Sequence, residues 1–323
     1  ELNPEKYQDT IEKVIRKGST PAGMHISIMV REIIDFLQIK PGQTGFDATL
    51  GYGGHTKAML ECLKGQGHMY ATDVDPIESA KTKKRLADAG FGEDILTIRL
   101  QNFCTIDEIA KEAGGFDFVL ADLGVSSMQI DNPDRGFSFK VDGPLDLRLN
   151  PEKGISAAER LAQIDEDELA GMLWENSDEP YAEELAHTIV TERKHGKPID
   201  TTTRLREVIE ETLSFLPEKE KKDTVKKTCQ RTFQALRIDV NNEFEVLYEF
   251  MEKLPGALKP GGRAAILTFH SGEDKLVKKA LKQGYKEGIY FEIANDVVRP
   301  SAEECAQNGR ARSTKMRWAV RAE

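Results

Sequence analysis

Apolar residues follow two alternating patterns over the first 122 residues of the chain. Short apolar runs, bounded by glycine or charged residues, are typical of buried strands, and the stretches between them repeat apolar residues at helical spacing. These patterns predict strands at 45–50, 67–72, 95–100 and 116–121, and helices at 25–38, 55–63, 76–89 and 105–112. Strands that alternate with helices in this way indicate βαβ units and a parallel sheet with right-handed crossovers.

The alternation stops after Asp122. Between about 135 and 227 the sequence has few β-branched runs and several charged helical patterns, at 165–174, 181–194 and 203–216, which predicts a helical insertion. The first pattern then returns, with helices predicted at 240–258 and 273–281 and strands at 263–269, 290–298 and 315–320. We therefore expect an α/β fold with a doubly wound, mostly parallel, Rossmann-like sheet and an inserted all-helical domain.

The predicted domain organisation has an extension before the sheet. Residues 1–24 fit either an accessory helix from Pro4 to Lys17 or a solvated tail. The predicted core comprises 25–140 and 231–323, and the predicted insertion comprises 141–230.

Composition narrows the setting of this fold. The chain has 323 residues, of which 39% are hydrophobic, and no stretch approaches the roughly 20 apolar residues of a membrane span. There is no signal-peptide pattern, and the four cysteines show no spacing for zinc or a redox dithiol. We expect reduced thiols, no metal and a cytoplasmic location. The net charge of −10 argues against general affinity for nucleic acid but allows a local basic face.

The most informative stretch is the turn between the first predicted strand and the next helix, at 46–55. Gly51, Gly53 and Gly54 suit a sharp turn, because glycine tolerates positive φ and lets a ligand approach the backbone. The first amides of the following helix would then point at a bound group. The glycines alone fit a tight turn without a ligand equally well.

Features around and after this turn bear on which cofactor it would hold. Asp73 ends the second predicted strand, where a carboxylate can accept hydrogen bonds from ribose hydroxyls. Asp75, directly before Pro76, better suits the N-cap of the next helix. His55 follows the glycines in place of the G-x-G-x-x-G spacing of dinucleotide sites. Because S-adenosylmethionine has no pyrophosphate, the turn favours this cofactor over a nicotinamide dinucleotide.

Ten motifs, in order along the chain, resemble those of one family. They are His25, DATLGxGGH at 47–55, DxDP at 73–76, DLGVSSxQ at 122–129, RGFSF at 135–139, DGPLDxR at 142–148, RTFQALRI at 231–238, PGGR at 260–263, FHS at 269–271 and NxRARS at 308–313. The chain resembles the bacterial ribosomal RNA small-subunit methyltransferase H family over this length. The resemblance implies a class I methyltransferase fold and S-adenosylmethionine as cofactor. It also implies methylation of the N4 amine of a cytosine in 16S ribosomal RNA near the decoding centre.

The resemblance further implies which residues contact the cofactor. These are Gly53, Gly54, His55, Asp73, Phe103, Asp122 and Gln129. Phe103 fits a contact to the adenine ring and an ordinary core position equally well. Asp122 ends the fourth predicted strand, at the mouth of the sheet where ligands of such folds bind, and it could accept from the cofactor's ammonium or from the target amine. Gln129 rests on the resemblance alone.

Asp122 and His270 are the candidate catalytic residues. The lone pair of the cytosine amine is conjugated with the ring, so an enzyme must accept hydrogens from the amine while it positions the amine for attack. We expect Asp122, or the carbonyls of Leu123 and Gly124, to accept them. His270 and Ser271 follow the strand at 263–269 and fit a contact to a flipped base or a phosphate. His270 fits a purely structural role at the strand end equally well.

Basic residues within two of the motifs, and just after the last of them, are the candidate RNA contacts. They are Arg231, Arg237, Arg310, Arg312, Lys315 and Arg317. Alternation along the last strand places Lys315 and Arg317 on one face, which suits contacts to phosphates; a solvated charged face is the alternative. The expected partner is 16S ribosomal RNA in the small subunit, with no membrane, and a homodimer is a further option.

Other functions stay open on sequence alone. The glycine spacing counts against a nicotinamide-dependent oxidoreductase, and the retained cofactor residues count against a non-catalytic RNA-binding or assembly factor. Departures from the family motifs allow a methyltransferase of the same fold with another RNA target. They are Met128, the segment 227–230, Gly272, Lys275 and Gly309.

Overall fold

The computed structural model describes residues 26–323. The predicted extension at 1–24 and the motif residue His25 lie outside these residues. The described chain forms two compact units: residues up to Ser126 together with Glu245–Glu323, and the single segment Ser127–Phe244. The second unit is longer at each end than the predicted insertion at 141–230. At its C-terminal end the reason is that the RTFQALRI motif lies on a helix that continues without a break from the residues before it.

A seven-stranded sheet forms the centre of the first unit. Its strands are β1 (Thr44–Asp47), β2 (His68–Asp73), β3 (Leu96–Leu100), β4 (Phe116–Asp122), β5 (Leu258–Thr268), β6 (Tyr290–Ile293) and β7 (Lys315–Arg321). Their order is β3-β2-β1-β4-β5-β7-β6. β1 to β5 are parallel, and β7 is antiparallel to β5 and β6. The predicted doubly wound, mostly parallel α/β fold is confirmed.

Thirteen α-helices are present within residues 26–323. They are α1 (Val30–Leu37), α2 (Gly54–Leu63), α3 (Pro76–Asp88), α4 (Ile106–Ala113), α5 (Ser127–Asp131), α6 (Ala157–Gln163), α7 (Glu166–Ser177), α8 (Ala182–Lys194), α9 (Thr202–Thr212), α10 (Glu218–Val240), α11 (Glu243–Ala257), α12 (Ser271–Lys286) and α13 (Ala302–Gln307). No helix in this part of the chain combines the length and the apolar character that crossing a membrane requires.

Two apolar clusters cover the two faces of the sheet. In β4, Val119 and Ala121 belong to the cluster that includes residues of α4, α11 and α12, and Leu120 belongs to the cluster that includes residues of α1, α2 and α3. This alternation follows from the opposite directions of successive side chains in a strand. Because both faces of the sheet are covered, the parallel strands have the nearly continuous apolar runs from which they were predicted.

The second unit has an apolar core of its own. The core includes Leu169 of α7, Leu185 of α8, Leu205 of α9 and Phe233 of α10. The sequence patterns predicted α7, α8 and α9 close to their observed bounds, but not α10. The first half of α10 is a run of lysine and glutamate with few apolar residues, so hydrophobic periodicity gives little signal there.

Gly45 in β1 generates a prediction about the sheet. A Cβ at this position would lie 2.0 Å from the ring of Phe118. We expect Gly45→Ala to lower the free energy of unfolding of the first unit by about 1–3 kcal/mol, the usual cost of overpacking a core. Chemical unfolding followed by circular dichroism measures this change.

Gly256→Ala in α11 is the matched control, because a Cβ there meets nothing within 4 Å. It should be neutral or stabilise the unit by up to about 1 kcal/mol, since alanine is the better helix former. Equal effects of the two substitutions would contradict the packing of Gly45 against Phe118.

Candidate functional site

Three neighbouring parallel strands of the first unit end in an aspartate. Asp47 ends β1, Asp73 ends β2 and Asp122 ends β4, and β1 lies between the other two. The carboxylates therefore share the carboxyl edge of the sheet, where ligands of open α/β folds bind. Asp47 is 0% exposed, and the Asp122 side chain is 22% exposed. Carboxylates with so little access to water need hydrogen-bond donors or cations nearby. The three aspartates have different partners.

Asp47 is held by hydroxyl and amide donors. Thr56, in the first turn of α2, donates its hydroxyl to Oδ2 at 2.6 Å, and the Thr49 N–H donates to Oδ1 at 3.0 Å. The Thr49 hydroxyl oxygen also accepts from the Asp122 N–H at 2.7 Å, which links the ends of β1 and β4. Burial raises the pKa of Asp47 despite the bond from Thr56. Asp47 fixes the start of the turn, a role that the sequence analysis did not assign.

The glycine turn has the sharp geometry that the sequence predicted. Gly51 and Gly53 have φ values of 53° and 89°. A Cβ on Gly53 would lie 2.7 Å from the Thr82 side chain, and one on Gly54 would lie 1.9 Å from Ser27 Oγ. Backbone conformation and close packing thus require glycine here. α2 begins at Gly54, so its first amides, which have no intrahelical acceptor, lie at the carboxyl edge of the sheet.

Asp75 has the N-cap role predicted from the sequence, and the ribose contact predicted for Asp73 stays a prediction. Asp75 caps α3 by accepting from the N–H groups of Ile77 and Glu78 at 2.9 and 3.2 Å. Asp73 accepts from the Gly51 N–H at 3.1 Å and from the Asp75 N–H at 2.9 Å. Burial raises the pKa of Asp73 to about 7. Donors added by a ligand, such as ribose hydroxyls, would favour the ionised form of this carboxyl group.

α3 also holds the outer side of the glycine turn. Thr82 donates its hydroxyl to the Gly51 carbonyl, and Arg85 donates from Nη2 to the Tyr52 carbonyl at 3.2 Å and to Thr82 Oγ1 at 2.8 Å. The Arg85 guanidinium carbon lies 3.8 Å from the centre of the Tyr52 ring. Thr82 and Arg85 were not predicted from the sequence. Their spacing of three places them on one face of α3, but only the folded chain shows that this face meets the turn.

His55 connects Asp122 to the main chain. Its Nε2 lies 2.7 Å from the Ile28 carbonyl oxygen, and its Nδ1 lies 3.4 Å from Asp122 Oδ2. A carbonyl can only accept, so Nε2 carries a hydrogen, and the neighbouring carboxylate favours a second hydrogen on Nδ1. Burial alone would lower the pKa of His55, but the hydrogen bond and charge of Asp122 help to outweigh it, and the pKa is raised. We infer an imidazolium–carboxylate pair.

This pairing involves only one oxygen of Asp122. Within residues 26–323, Oδ1 has no hydrogen-bond partner in the structure. The strand end thus offers an oriented acceptor at the same edge as Asp73 and the start of α2. In the first unit the structure brings together Gly53, Gly54, His55, Asp73 and Asp122, all predicted from the sequence.

The other two predicted cofactor residues, Phe103 and Gln129, lie in different units of the structure. Phe103 follows β3, is half-buried and packs edge-on against Phe250 of α11, with ring centres 5.2 Å apart. Phe103 therefore packs against the apolar core, and its contact with adenine stays a prediction. Gln129 belongs to the second unit, where it is buried in α5, and its role also stays a prediction.

His270 takes part in the N-terminal cap of α12. Its Nδ1 accepts from the Glu273 N–H at 3.4 Å, and its Nε2 lies 3.0 Å from Glu273 Oε1. The same Glu273 oxygen accepts from the Phe269 N–H at 3.3 Å, so side chain and main chain cap each other. This arrangement favours the structural alternative for His270 over a contact to the substrate.

Three of the arginines predicted to contact RNA bind carboxylates of the protein. Arg231 pairs with the buried Glu179 at 3.2 Å, and Arg237 pairs with Glu243 at 2.9 Å. Arg317 is only 7% exposed and binds Asp274 through two bonds, at 2.7 and 3.2 Å. We therefore do not retain Arg317 as a phosphate contact, because its charge is buried and paired.

The remaining predicted RNA contacts are accessible. Lys315 shares a face of β7 with Arg317, as predicted, and its Nζ lies 3.9 Å from Asp274. Arg310 and Arg312 are exposed in the 3-10 turn Gly309–Ser313, on either side of the buried Ala311. The NxRARS motif thus combines a core anchor with two exposed cations.

Comparison with known proteins identifies the family. The model of the MraW methylase family matches residues 22–322. The chain belongs to this family. It is 83% identical over 323 residues to ribosomal RNA small subunit methyltransferase H 1 of Agathobacter rectalis, covering 100% of this chain and 93% of that protein. It is 62% identical over 322 residues to methyltransferase H 2 of Alkaliphilus metalliredigens, covering 100% and 92%.

This membership confirms the predicted family and cofactor. The cofactor of the methylase is S-adenosylmethionine, and the donor set at the sheet edge fits it. S-adenosylmethionine carries an ammonium, a sulfonium and a ribose with two hydroxyls, all of which suit carboxylate neighbours. The edge supplies Asp73 and the oriented Oδ1 of Asp122, and the first amides of α2 suit the cofactor's carboxylate.

The His55–Asp122 pair generates a prediction for the methylase. We expect the His55 imidazole to titrate above the ordinary histidine pKa of about 6.5. Asp122→Asn should lower this pKa, because burial then acts without the opposing carboxylate charge. NMR titration of the histidine ring signals measures both values. Asp88→Asn, at an exposed position of α3, is the control and should leave the His55 pKa unchanged.

The same pair has a consequence for stability. The pKa of His55 is higher in the folded state than in the unfolded state, so protonation of His55 stabilises the folded protein. This stabilisation is complete at pH values below the unfolded-state pKa and is lost as pH rises through the folded-state pKa. The difference in unfolding free energy between wild type and Asp122→Asn should therefore shrink as pH rises through the His55 pKa. A His55 pKa that is the same in wild type and Asp122→Asn would contradict the ion pair.

Proposed function

We propose that this chain transfers the methyl group of S-adenosylmethionine to the N4 amine of a cytosine in 16S ribosomal RNA, near the decoding centre of the small ribosomal subunit. The observation that carries the proposal is the end of β4, where His55 holds Asp122 through one oxygen. Membership of the MraW methylase family and the names of relatives, which are ribosomal RNA small subunit methyltransferases, support the substrate class. An enzyme that acts on the small ribosomal subunit would work in the cytoplasm.

Each polar group at the sheet edge suits one part of the cofactor. Asp73 would accept from the ribose hydroxyls, since its two existing bonds come from main-chain amides and leave lone pairs on both oxygens. The amides at Gly54 and His55 would donate to the carboxylate of the methionine part. When bound, S-adenosylmethionine supplies a methyl group already activated by its sulfonium centre.

Asp122 would act on the target amine. Because the lone pair of a cytosine amine is delocalised into the ring, the amine becomes a better nucleophile when its hydrogens are held out of the ring plane. Asp122 Oδ1, and the carbonyls of Leu123 and Gly124 that follow β4, can accept these hydrogens. Asp122 can also take the proton that the amine loses, while His55 keeps the carboxylate oriented. Positioning then supplies most of the acceleration.

The remaining candidates for phosphate contacts from the first unit are the exposed Arg310 and Arg312 and the half-buried Lys315. Arg231 and Arg237 lie on α10 and bind carboxylates there. We assign them to the stability of the second unit, because loss of either arginine would leave a carboxylate without its cation: Glu179, which is fully buried, or Glu243, which is partly buried.

A methylation assay tests the substrate. Small subunits that lack the modification are incubated with the protein and labelled S-adenosylmethionine, and mass mapping then locates the methyl group. The proposal expects one labelled cytosine, on N4, in 16S ribosomal RNA. If 16S RNA stayed unlabelled while another RNA was methylated, the assignment of the substrate would be wrong. Methylation of a different base would contradict the assignment to N4 of a cytosine.

Substitution of Asp122 tests the mechanism. With cofactor and RNA both saturating, Asp122→Asn and Asp122→Ala should lower kcat by about 100-fold or more, the range of a lost acid–base group. Saturation removes the contribution of weaker cofactor binding. Asp88→Asn, on the exposed surface of α3, serves as the matched control and should keep full turnover. Full turnover of Asp122→Ala would contradict the assignment.

A further inference from the structure

Helix α12 presents a continuous row of lysines to solvent. Lys275, Lys278, Lys279, Lys282 and Lys286 are all exposed, and together with Gln283 they line an open groove of about 350 Å³. Their spacings of three and four place them on one face of the helix. From Lys275 to Lys286 the row extends roughly 16 Å at 1.5 Å per residue. We call this face the lysine row.

The lysine row is unneutralised. Among the residues that the structure describes, none of its five lysines has a carboxylate within ion-pair distance. The nearest acidic side chain in the helix sequence, Asp274, is already bound by Arg317. Elsewhere in the described chain, many arginines are paired, including Arg148, Arg160 and Arg204. The lysine row is thus a patch of unpaired positive charge on a chain whose net charge is −10.

Helix stability does not account for this arrangement. Like charges at spacings of three and four destabilise a helix by about 0.2–0.5 kcal/mol per pair. Lys275 forms such pairs with Lys278 and Lys279, and Lys282 forms another with Lys286. Cations help only near the C-terminal end of a helix, whereas Lys275 lies in the first half of Ser271–Lys286. A polyanionic partner would relieve this repulsion.

The lysine row starts beside the proposed active edge. β5 is parallel to β4, and the two pair through Asp122 and Leu267. α12 begins three residues after β5 ends, at Ser271, on the same edge of the sheet as Asp122. The row runs from there along the body of the first unit. A chain of phosphates that follows it would approach the edge where the methyl transfer takes place.

The opposite face of α12 restricts the kind of polyanion. Val277 and Leu281 are buried in the core of the first unit. A helix that binds a membrane surface must insert an apolar face into the lipid, and in α12 that face is occupied by the sheet. The exposed face carries one large aromatic side chain, Tyr285, which is too little apolar surface to insert into lipid. A row of exposed point charges of this kind suits phosphates on a nucleic-acid backbone.

We propose that the lysine row binds the phosphate backbone of the RNA segment that flanks the target nucleotide. This inference rests on the proposed function for the identity of the RNA. The row positions substrate through charge and takes no part in the chemical step. It adds an RNA surface that the sequence analysis did not predict, since of these lysines only Lys275 was noted there, as a departure from a motif.

The test compares two variants with the same change in charge. K279Q/K282Q/K286Q neutralises the part of the row distant from the active edge. K81Q/K83Q/K84Q neutralises three exposed lysines of α3 and is the control. Binding of a labelled 16S ribosomal RNA transcript is measured by filter retention over a range of salt concentrations, with circular dichroism to confirm folding and calorimetry to measure the affinity for S-adenosylmethionine.

We expect the row variant to bind RNA roughly tenfold more weakly than wild type near physiological salt, with a log–log salt slope smaller by about 2. Its cofactor affinity and its kcat at saturating RNA should be unchanged, and the control variant should change RNA affinity less than about twofold. An equal loss in both variants, or no loss in the row variant, would overturn the inference. So would unchanged RNA binding together with lost binding to phosphatidylserine vesicles.

The binding assay needs no turnover, so its result is independent of the proposed function. If wild type binds the transcript through the row but methylates no ribosomal RNA, the function fails and the inference stands. If wild type methylates the cytosine and the row variant binds RNA like wild type, the inference fails and the function stands.

Discussion

The cost of carboxylates withdrawn from water is the constraint on which the first unit depends. β1, β2 and β4 end in Asp47, Asp73 and Asp122 at one edge of the sheet. Each residue meets that cost with a different donor: a hydroxyl of α2 for Asp47, two main-chain amides for Asp73 and an imidazole for Asp122. Each of these hydrogen bonds or ion pairs also holds a neighbouring segment in place. The carboxyl edge of the sheet is therefore organised before a substrate binds.

Much of this organisation is local and could be predicted from the sequence. Buried parallel strands have nearly continuous apolar runs, which located β1 to β5. The αL turn requires glycine at Gly53, and Asp75 before Pro76 marks an N-cap, so Asp73 was left to face a ligand. Asp47 lay inside the predicted strand 45–50, whereas β1 ends at Asp47, so its place beside the other two aspartates became clear only from the structure.

Features set by tertiary contacts could not be predicted in this way. Glu179 and Arg231 are far apart in the sequence and pair only when α10 packs in the second unit. From the sequence alone, Arg231 was therefore predicted to contact RNA. Arg317 was likewise placed on the correct face of β7, but that face meets Asp274. Conversely, the lysines of α12 were not predicted from the sequence to bind RNA, because a charged helix face is usually only solvated. Among the described residues, the five lysines of the row have no ion-pair partner.

The central claim is that the edge marked by Asp73 and Asp122 holds S-adenosylmethionine, and proton release on binding tests it most directly. The pKa of Asp73 is about 7, and ribose hydroxyls would favour its ionised form. Binding near pH 7 should then release protons, measured by calorimetry in two buffers of different ionisation enthalpy, and Asp73→Asn should abolish this release. Binding by wild type without proton release, or the same release from Asp73→Asn, would contradict the claim.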